Sequence, residues 1–499
     1  MALKREKQKK SFSLKGNTIK LKTQNIFAYI LVVLSFLALS VPIWLKVDYL
    51  PVRLWDEARN AVNAIEMLES GDLIVRTFNN EPETYNLKPP LLTWMQIASL
   101  SAVGINELAI RLPSVLASIG SLVLVFAFVY SETKKPAFGI LAIGILATSS
   151  GFYGEHVGRF GDHDALLVFF CCLLLFAYWQ YLKSQKPKWL YITGLAVCLG
   201  ILTKSISILL FGPALLLYLI FSKNFLPLFK NKHFYLSSLL AIIPVFIYYF
   251  IREKMQPGFL SLVWNDELFP RYLNTSKNLS FSEESFWYYF KLWPTHFAMW
   301  VYLLPIIIPA YFLSKKKGVY HFLLLSSALF LIIISKGTKN FWYDAPIFPL
   351  LALLVTFSVY DTSRFVVKNQ FVQIAMIWGI LYFPYKASYQ DTLNTQETYY
   401  NWETYGISYY LKHPELRKNL NSNTKILLDD NYGFEPHLFY VKKLEKEEGF
   451  ALNRKWINQV NVGDTLLITH LSTYDALKKN FKTETLDSLN DYTKRVVLH

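Results

Sequence analysis

Cysteine and charge are both scarce in this sequence of 499 residues. The three cysteines, Cys171, Cys172 and Cys198, are odd in number and lack any disulfide or metal-site spacing, so they indicate neither feature. Charged residues make up only 17% of the chain against 53% hydrophobic residues, and the mean hydropathy is +0.26. A soluble protein of this length is far more polar. The composition therefore predicts an integral membrane protein.

Eleven apolar stretches have about the length needed for a membrane-spanning helix, roughly 17–25 residues. They cover residues 26–46, 113–130, 136–154, 164–182, 188–203, 205–222, 234–252, 297–314, 319–335, 343–360 and 369–386. The first follows the basic stretch KREKQKK without a small-residue cleavage site, so we expect a retained span and no signal peptide. The stretch from Pro89 to Gly104 is short and opens with Pro-Pro, which predicts a surface or re-entrant helix.

Basic residues separate the loops into two groups. The net charge of +15 could suggest a nucleic-acid partner, but most clustered basic residues fall in short loops between apolar stretches, as membrane topology requires. If the N-terminus is cytoplasmic, the cytoplasmic loops are ETKKP, KSQKPK, KNFLPLFKNKH, SKKKG and DTSRFVVK, and all are basic. Eleven spans then place loops 47–112 and 253–296 and the C-terminal region on the opposite face. We expect no nucleic-acid partner.

The stretch LWDEARNAVNAIEMLESGD places two acids just after the first predicted span. Apolar residues at positions 58, 61, 62, 65 and 68 predict an amphipathic helix that stops near Ser70 and Gly71. Asp56 and Glu57 lie in its first turn, where carboxylates interact favourably with the helix dipole. The alternative is a functional acid pair at the mouth of the first span, on the same face as other polar groups.

Two lysines stand at the edges of apolar stretches. Lys88 precedes two prolines in YNLKPPLLTW, and Lys204 lies between two apolar runs in ILTKSISILLFGP. A lysine at a membrane interface often only extends its ammonium toward water. The alternative for Lys88 is a cation that holds a phosphate at the membrane boundary. A charge at the position of Lys204 is costly without a partner, which predicts a functional role.

The segment RFGDHDALLVFF concentrates charge immediately before another predicted span. Arg159, Asp162, His163 and Asp164 could cap the ends of two helices. Together with Glu155 and His156, the acids and histidines could instead supply oxygen and nitrogen ligands to a metal, although the ligand spacing matches no recognised motif.

The ordered set WDEARNAVNAIEMLESGD, KPPLLTW, NELAIRLPSVLAS, RFGDHDALLVFF, LTKSISILLFGP and SKGTKNFWYDAPIFPLLALL resembles the polytopic glycosyltransferases of the GT-C fold. The chain is similar, over about residues 25–360, to the dolichyl-phosphate-mannose protein mannosyltransferases and the lipid A aminoarabinose transferases. This resemblance implies an all-α membrane domain of about 11–13 transmembrane helices. It also implies transfer of a sugar from a polyprenyl-phosphate donor to an acceptor glycolipid, glycan or protein hydroxyl on the non-cytoplasmic face.

The resemblance also implies roles for individual residues. Asp56 is the candidate general base, and Glu57 and Asp164 complete the predicted catalytic acids. The candidates for the donor phosphate are Lys88, Arg159, Lys204, Lys336 and Lys339, and those for substrate binding are Arg111, Asp162 and Tyr343. Leu87 stands where aminoarabinose transferases carry a glutamate, so the sequence predicts no metal-ligand residues and no required cofactor. It leaves a divalent metal open.

Residues 387–499 are more polar than residues 1–386 and predict a second domain. KILLDD, TLLIT and RVVLH have the character of strands, and YDALKKN is helical after Ser472 as a candidate cap. We therefore expect a transmembrane glycosyltransferase domain over 1–386 and a small extracytoplasmic α/β domain over 387–499, in a multi-pass protein of the inner (plasma) membrane. The alternative function is a transporter or flippase of lipid-linked sugars, which should contain inverted repeats. The hydropathy order contains no such repeat.

Overall fold

The computed structural model describes residues 27, 29–273, 285–363, 369–400, 403–428 and 435–499, and helices dominate it. The helices are α1 (Tyr29–Trp44), α2 (Asp56–Ser70), α3 (Leu91–Val103), α4 (Glu107–Thr133), α5 (Pro136–Ala147), α6 (Ser150–Tyr153), α7 (His163–Ser184), α8 (Pro187–Lys204), α9 (Gly212–Phe221), α10 (Phe225–Phe229), α11 (Lys232–Met255), α12 (Phe259–Leu262), α13 (Tyr288–His296), α14 (Ile307–Leu313), α15 (Lys317–Lys336), α16 (Phe348–Ser363), α17 (Gln370–Tyr400), α18 (Gly406–Lys412), α19 (Pro414–Arg417), α20 (Glu435–Glu448) and α21 (Leu471–Asn480). The strands are β1 (Thr77–Phe78), β2 (Glu81–Pro82), β3 (Thr424–Leu428), β4 (Asn453–Trp456), β5 (Thr465–Ile468), β6 (Thr483–Ser488) and β7 (Lys494–Leu498).

Six helical stretches of the described chain are long and apolar enough to cross a membrane, and a bent pair formed by α13 and residues 298–313 would make a seventh. The longest of the six, Pro187–Phe221, combines α8, a 3-10 segment and α9 over 35 residues. The chain reverses inside this stretch, because Ser205 has a positive φ of 51° and Asn224 returns to within 3.3 Å of Gln185. The two predicted spans 188–203 and 205–222 are therefore an antiparallel pair.

The membrane domain has two chemically different ends. At one, which we call the basic end, Lys183 and Lys316 both pair with Glu132, and Tyr320 donates a hydrogen bond to Asp361. At the other, which we call the polar end, lie Asp56 and the residues around it. The apolar helices α1, α3 and α5 are shorter, with 10–17 residues each, and by themselves do not reach the length of a span.

The count of eleven spans stays a prediction, and the described parts of the basic loops that hold Lys183, Lys316 and Asp361 lie at the basic end. Residues 364–368 of the loop DTSRFVVK and the N-terminal stretch KREKQKK lie outside the described residues. The orientation of the two ends relative to the cytoplasm stays a prediction. The short helix α3, which begins and ends where Pro90 and Gly104 predict, packs beside α2 and α4 and makes no full pass.

The C-terminal region forms the expected small α/β domain. Its five strands have the order β4-β3-β5-β7-β6, in which β3 pairs in parallel with β4 and β5, and the remaining pairs are antiparallel. The described residues of the predicted strands fall in β3, β5 and β7, whereas β4, β6 and α20 were not predicted. Helix α21 begins at Leu471, so Ser472 lies within the helix and His470 takes the capping position. The long helix α17 runs through the predicted boundary at residue 387.

Helix α2 links the two parts of the molecule. Its apolar residues at positions 58, 61, 62 and 65 are fully buried, and its C-terminal end is closed by Gly71 at a φ of 72°. They share one apolar cluster with residues of α3, α4, α18 and α20, including Phe439 and Tyr440. The amphipathic face predicted from the sequence is thus covered by protein on both sides, and the start of α2 is held against the polar end of the membrane domain.

Candidate active site

Asp56 and Glu57 are the first two residues of helix α2, as the sequence predicts, but one side chain is partly exposed and the other is buried. The preceding residue, Trp55, has a φ of 69°, a left-handed conformation that bulky side chains rarely adopt. Such strain persists where the surrounding structure imposes it, and it is common at functional sites. The Asp56 side chain is 24% exposed, whereas that of Glu57 is 3% exposed.

Glu57 is the centre of a buried hydrogen-bond network. Its Oε1 accepts hydrogen bonds from Arg111 Nε and from the Gly161 backbone N–H, both at 2.7 Å. Its Oε2 accepts from Arg111 Nη2 at 2.9 Å and from the Arg53 backbone N–H at 2.8 Å. Burial alone would raise the pKa of the Glu57 carboxyl, but these donors hold it below its ordinary value. Of the two predicted roles of Glu57, this geometry favours support of the local structure.

Arg111, predicted to bind substrate, is fully buried and occupied. Besides Glu57, its guanidinium donates hydrogen bonds to the backbone carbonyls of Val47, Leu50 and Pro51 at 2.7–2.8 Å. The arginine therefore ties the loop that leads into α2 to the start of α4, and it presents no exposed surface to a ligand.

Lys88 lies beside Asp56, a pairing that the sequence did not predict. The distance from Lys88 Nζ to Asp56 Oδ1 is 3.4 Å, and the Lys88 side chain is only 9% exposed. The residues that place Lys88 here are Pro89 and Pro90, which end the extended segment and start α3. A partly exposed carboxylate and an ammonium group thus meet at the polar end of the membrane domain.

His156 and Asp162 form a second ion pair next to Asp56. The distance from His156 Nδ1 to Asp162 Oδ2 is 2.7 Å, and the imidazole stacks on the Trp342 ring with centroids 3.8 Å apart. Burial opposes ionisation of both groups, but their hydrogen bond raises the pKa of His156 and holds that of Asp162 well below its ordinary value. Asp162 also caps α7 by accepting from the His163 backbone N–H.

One ligand atom each from Asp56, His156 and Asp162 lies within 4.8 Å of the others, which is a spacing that a metal ion requires. Two of these residues belong to the group that the sequence suggested as oxygen and nitrogen ligands, and Asp56 was not included in it. The ammonium of Lys88 beside Asp56 disfavours an additional cation. The arrangement is satisfied by its own ion pairs.

Asp164 and Lys204 are paired with each other. Lys204 Nζ lies 2.6–2.7 Å from both carboxylate oxygens of Asp164, and it sits 4.7 Å from the centre of the Tyr343 ring. The three residues line a cavity of about 50 Å³ between α7, the start of the 3-10 segment and the end of α15. The sequence assigned Asp164 to catalysis and Lys204 to phosphate binding, and the structure places them in one buried salt bridge.

The remaining predicted cations are dispersed. Lys336 is exposed at the end of α15 and Lys339 is half-buried in the following loop, which closes the cavity around Asp164 and Lys204. The Arg159 guanidinium donates to the backbone carbonyls of Pro42 and Leu45 at the end of α1. These contacts use Arg159 to join two segments of the polar end.

Two buried arginines were missed by sequence reasoning. Arg76 and Arg252 are each 2% exposed, and within the described residues Nη1 of each has no hydrogen-bond partner and neither guanidinium forms an ion pair. They lie close enough to repel one another electrostatically, and Arg76 also interacts with His163 at the start of α7. For Arg252 the available signal was a charge in the last turn of an apolar span, the same signal that identified Lys204, whereas Arg76 lies in the loop before β1 and carried no such signal.

An apolar groove of about 500 Å³ lies beside these arginines on α8 and α11. Its lining includes Ile201, Val245, Phe246 and Tyr249, and Tyr249 forms a hydrogen bond with Ser205 next to Lys204. Arg252 lies in the last turn of the same helix α11. The groove is lined almost entirely by apolar side chains, with Glu253 and Lys254 as its charged residues, and this lining suits a hydrocarbon chain.

Comparisons with known proteins agree with this architecture. A model of the family "Dolichyl-phosphate-mannose-protein mannosyltransferase" matches residues 87–249, a range that includes Lys88, Asp164 and Lys204 but not Asp56. The crystal structure of ArnT from Cupriavidus metallidurans bound to undecaprenyl phosphate superimposes with a TM-score of 0.68 over 93% of this chain and 97% of that chain, at 14% identity. The chain has the GT-C fold.

The GT-C chain also resembles curated proteins in sequence. It is 30% identical over 158 residues to YkcB of Bacillus subtilis, which is named as a mannosyltransferase. It is 26% identical over 323 residues to the undecaprenyl phosphate-alpha-4-amino-4-deoxy-L-arabinose arabinosyl transferase of Edwardsiella ictaluri. These alignments cover 31% and 61% of this chain, but only 21% and 56% of the two relatives. The resemblance to both families predicted from the motifs is confirmed.

Proposed function

We propose that this protein is a membrane glycosyltransferase that moves a sugar from a polyprenyl-phosphate donor to an acceptor hydroxyl at its polar end, which faces the non-cytoplasmic side of the inner membrane. The single observation that carries the proposal is the Asp56–Lys88 pair, which places a partly exposed carboxylate 3.4 Å from an ammonium group. The GT-C fold and the names of the sequence relatives support the same class of reaction.

The proposed reaction needs both charges. The acceptor hydroxyl attacks the anomeric carbon of the donor sugar while the bond from that carbon to the phosphate oxygen breaks. Asp56 takes the hydroxyl proton, and the polyprenyl phosphate leaves with the bonding electron pair. Positive charge at the leaving oxygen and a base at the nucleophile lower the barrier to this displacement. No metal or cofactor is required for these steps.

The donor phosphate is proposed to bind Lys88, Arg76 and Arg252, with its isoprenoid chain in the apolar groove along α11. Buried guanidinium groups without a carboxylate partner destabilise the protein, so an anionic ligand would relieve their cost. Arginine suits phosphate because its planar group donates several hydrogen bonds at once. Because Lys204 already forms a salt bridge with Asp164, we assign it a structural role. The ArnT structure that shares this fold is bound to undecaprenyl phosphate, which supports a lipid phosphate as the ligand.

The test of the base is Asp56→Asn, which keeps the shape of the side chain and removes the basic oxygen. A general base contributes typically about 10²–10⁴-fold, so sugar transfer from polyprenyl-phosphate mannose or aminoarabinose should fall by that factor. Binding of undecaprenyl phosphate and the unfolding midpoint should stay close to wild type, because the side chain is partly exposed. Transfer at nearly the wild-type rate would refute Asp56 as the base.

The test of the donor site uses Arg76→Gln and Arg252→Gln, with Lys232→Gln at the opposite end of α11 as the matched control. Loss of one hydrogen bond to a charged group costs about 1.5–3 kcal/mol, which corresponds to roughly 10- to 150-fold weaker binding of undecaprenyl phosphate. The free energy of unfolding should fall only by the loss of contacts such as that between the Arg252 guanidinium and the Phe259 ring, 4.4 Å apart, because no ion pair among the described residues is broken. Unchanged affinity in both variants, or an equal loss in the control, would contradict the assignment.

A further inference from the structure

A second cavity at the polar end lies apart from the Asp164–Lys204 pair. Its volume is about 260 Å³, close to the lower limit of roughly 300 Å³ for pockets that bind small molecules. Its walls come from the turn after α6, the end of α13, the segment before α16 and the middle of α17. The lining residues that carry the argument are Glu155, Arg159, His296, Phe341, Trp342 and Asp391.

The polar groups of this cavity are fixed in place by partners in the protein. Glu155 pairs with Arg53 at 2.8 Å and remains 38% exposed, and Asp391 accepts a hydrogen bond from Tyr153 Oη at 3.0 Å. His296 is oriented by Asp344. A carboxylate has about four acceptor sites, so Glu155 and Asp391 retain capacity for hydroxyl donors.

Two aromatic rings form the rim of the same cavity. Phe341 is 36% exposed and packs edge to face on Trp342, with ring centroids 4.8 Å apart. The other partner of Trp342 is His156, which belongs to the cluster with Asp56. The aromatic wall of the cavity therefore ends at the residue next to the proposed base.

These features exclude two of the ligands that the enzyme handles. A phosphate is disfavoured because the Arg159 guanidinium donates to backbone carbonyls and Arg53 is paired with Glu155, so both nearby arginines are already engaged. An isoprenoid chain is disfavoured because it would bury carboxylates against hydrocarbon without hydrogen bonds. Hydroxyl-bearing rings satisfy both the acceptors and the aromatic faces, and one such ring suits the volume.

We infer that this cavity binds a sugar ring of the acceptor, so that the acceptor is a carbohydrate. The inference rests on the proposed function, because the orientation of the bound sugar ring assumes that Asp56 is the base. In this orientation an acceptor hydroxyl lies on the His156 side of the cavity, toward Asp56. Glu155 and Asp391 accept hydrogen bonds from ring hydroxyls, and Phe341 covers one face of the ring. These residues set acceptor specificity and take no part in bond breaking.

The experiment measures binding without turnover. Saturation-transfer NMR is recorded on the full-length protein in a detergent that contains no sugar, with methyl glycosides of mannose, glucose, galactose and N-acetylglucosamine as probes. At least one glycoside should receive saturation. Asp391→Asn and Phe341→Ala should weaken its binding by roughly 10-fold, the effect of one lost hydrogen bond to a charged group or a comparable contact.

The matched controls are Asp475→Asn on α21 and Phe312→Ala at the basic end of α14, both at exposed positions away from the cavity. They should leave glycoside binding unchanged. No saturation of any glycoside, or equal saturation in wild type and both cavity variants, would overturn the inference. Saturation of an acetylated serine- and threonine-containing peptide instead, lost in Phe341→Ala, would also overturn it. Glycoside binding that depends on the cavity in a protein unable to transfer any sugar would refute only the proposed function.

Discussion

The substitution Glu57→Gln tests whether Glu57 supports the local structure while the adjacent Asp56 acts as the base. Four donors converge on the Glu57 carboxylate: two from Arg111 and one backbone N–H each from Gly161 and Arg53. A glutamine amide keeps one acceptor oxygen but replaces the other with a donor. Two of the four donors therefore lose their acceptor, and Arg111 loses its buried counter-charge.

The expected loss follows from this count. Each buried donor left unsatisfied costs about 1–3 kcal/mol, so two of them cost about 2–6 kcal/mol. Breaking a buried ion pair by removing one partner costs about 3–5 kcal/mol, which falls within the same range. We expect Glu57→Gln to lower the free energy of unfolding by that amount. The transfer rate per folded molecule should change far less than in Asp56→Asn.

The pH dependence adds a second criterion. The folded-state pKa of Glu57 is lowered, so its stabilising effect is present above the ordinary value of about 4.3 and is lost as the pH falls through the folded value. The stability difference between wild type and Glu57→Gln should be constant from about pH 5.5 to 8 and shrink in more acidic solution. The assay is denaturant unfolding in mixed micelles, followed by tryptophan fluorescence. A stable, inactive Glu57→Gln protein would refute this reasoning and return Glu57 to the catalytic residues.

Two further predictions concern neighbours of the site. The pKa of His156 is raised, so its ion pair with Asp162 stabilises the folded protein fully below about pH 6.5. This stabilisation is lost as the pH rises through the raised pKa. His156→Gln should therefore reduce the pH dependence of the unfolding midpoint between about pH 5.5 and 9. Tyr440 Oη accepts a hydrogen bond from the Val52 backbone N–H and donates one to Glu107. Tyr440→Phe should therefore destabilise the protein by about 1–3 kcal/mol and speed amide hydrogen exchange in residues 47–54. Unchanged exchange would contradict this role.

The apolar helices could be predicted because each depends on a local property. Hydropathy locates the apolar stretches, and the 3.6-residue period locates the buried face of α2. The Pro-Pro and Gly signals likewise bound α3. In the C-terminal domain the apolar strands were predicted from the sequence. Strand β6 was missed, because three consecutive residues among its six are exposed and its apolar and polar residues do not alternate. Residues 274–284 of the predicted outer loop 253–296 lie outside the described residues.

The pairing of charges could not be predicted, because it depends on distant parts of the chain. Arg111 and Glu57 are 54 residues apart, and Lys204 and Asp164 are 40 apart, yet both pairs are buried. The sequence identified each of these residues, but it assigned Glu57 and Asp164 to catalysis, Lys204 to the donor phosphate and Arg111 to substrate binding. A lysine in an apolar run predicts a partner equally well whether that partner is a ligand or a carboxylate of the same protein. Only the contact distinguishes the two.

The dependence of the loop before α2 on Tyr440 has a consequence for biosynthesis. The Val52 backbone N–H and its acceptor Tyr440 are separated by 388 positions in the chain. Translation at about 5–20 residues per second places roughly 20–80 seconds between the synthesis of the two. During that interval the nascent loop lacks the hydrogen bond from the Val52 N–H to Tyr440 Oη, although Arg111 is already available to it. The start of α2 is thus among the first segments to be made and among the last to reach its final form.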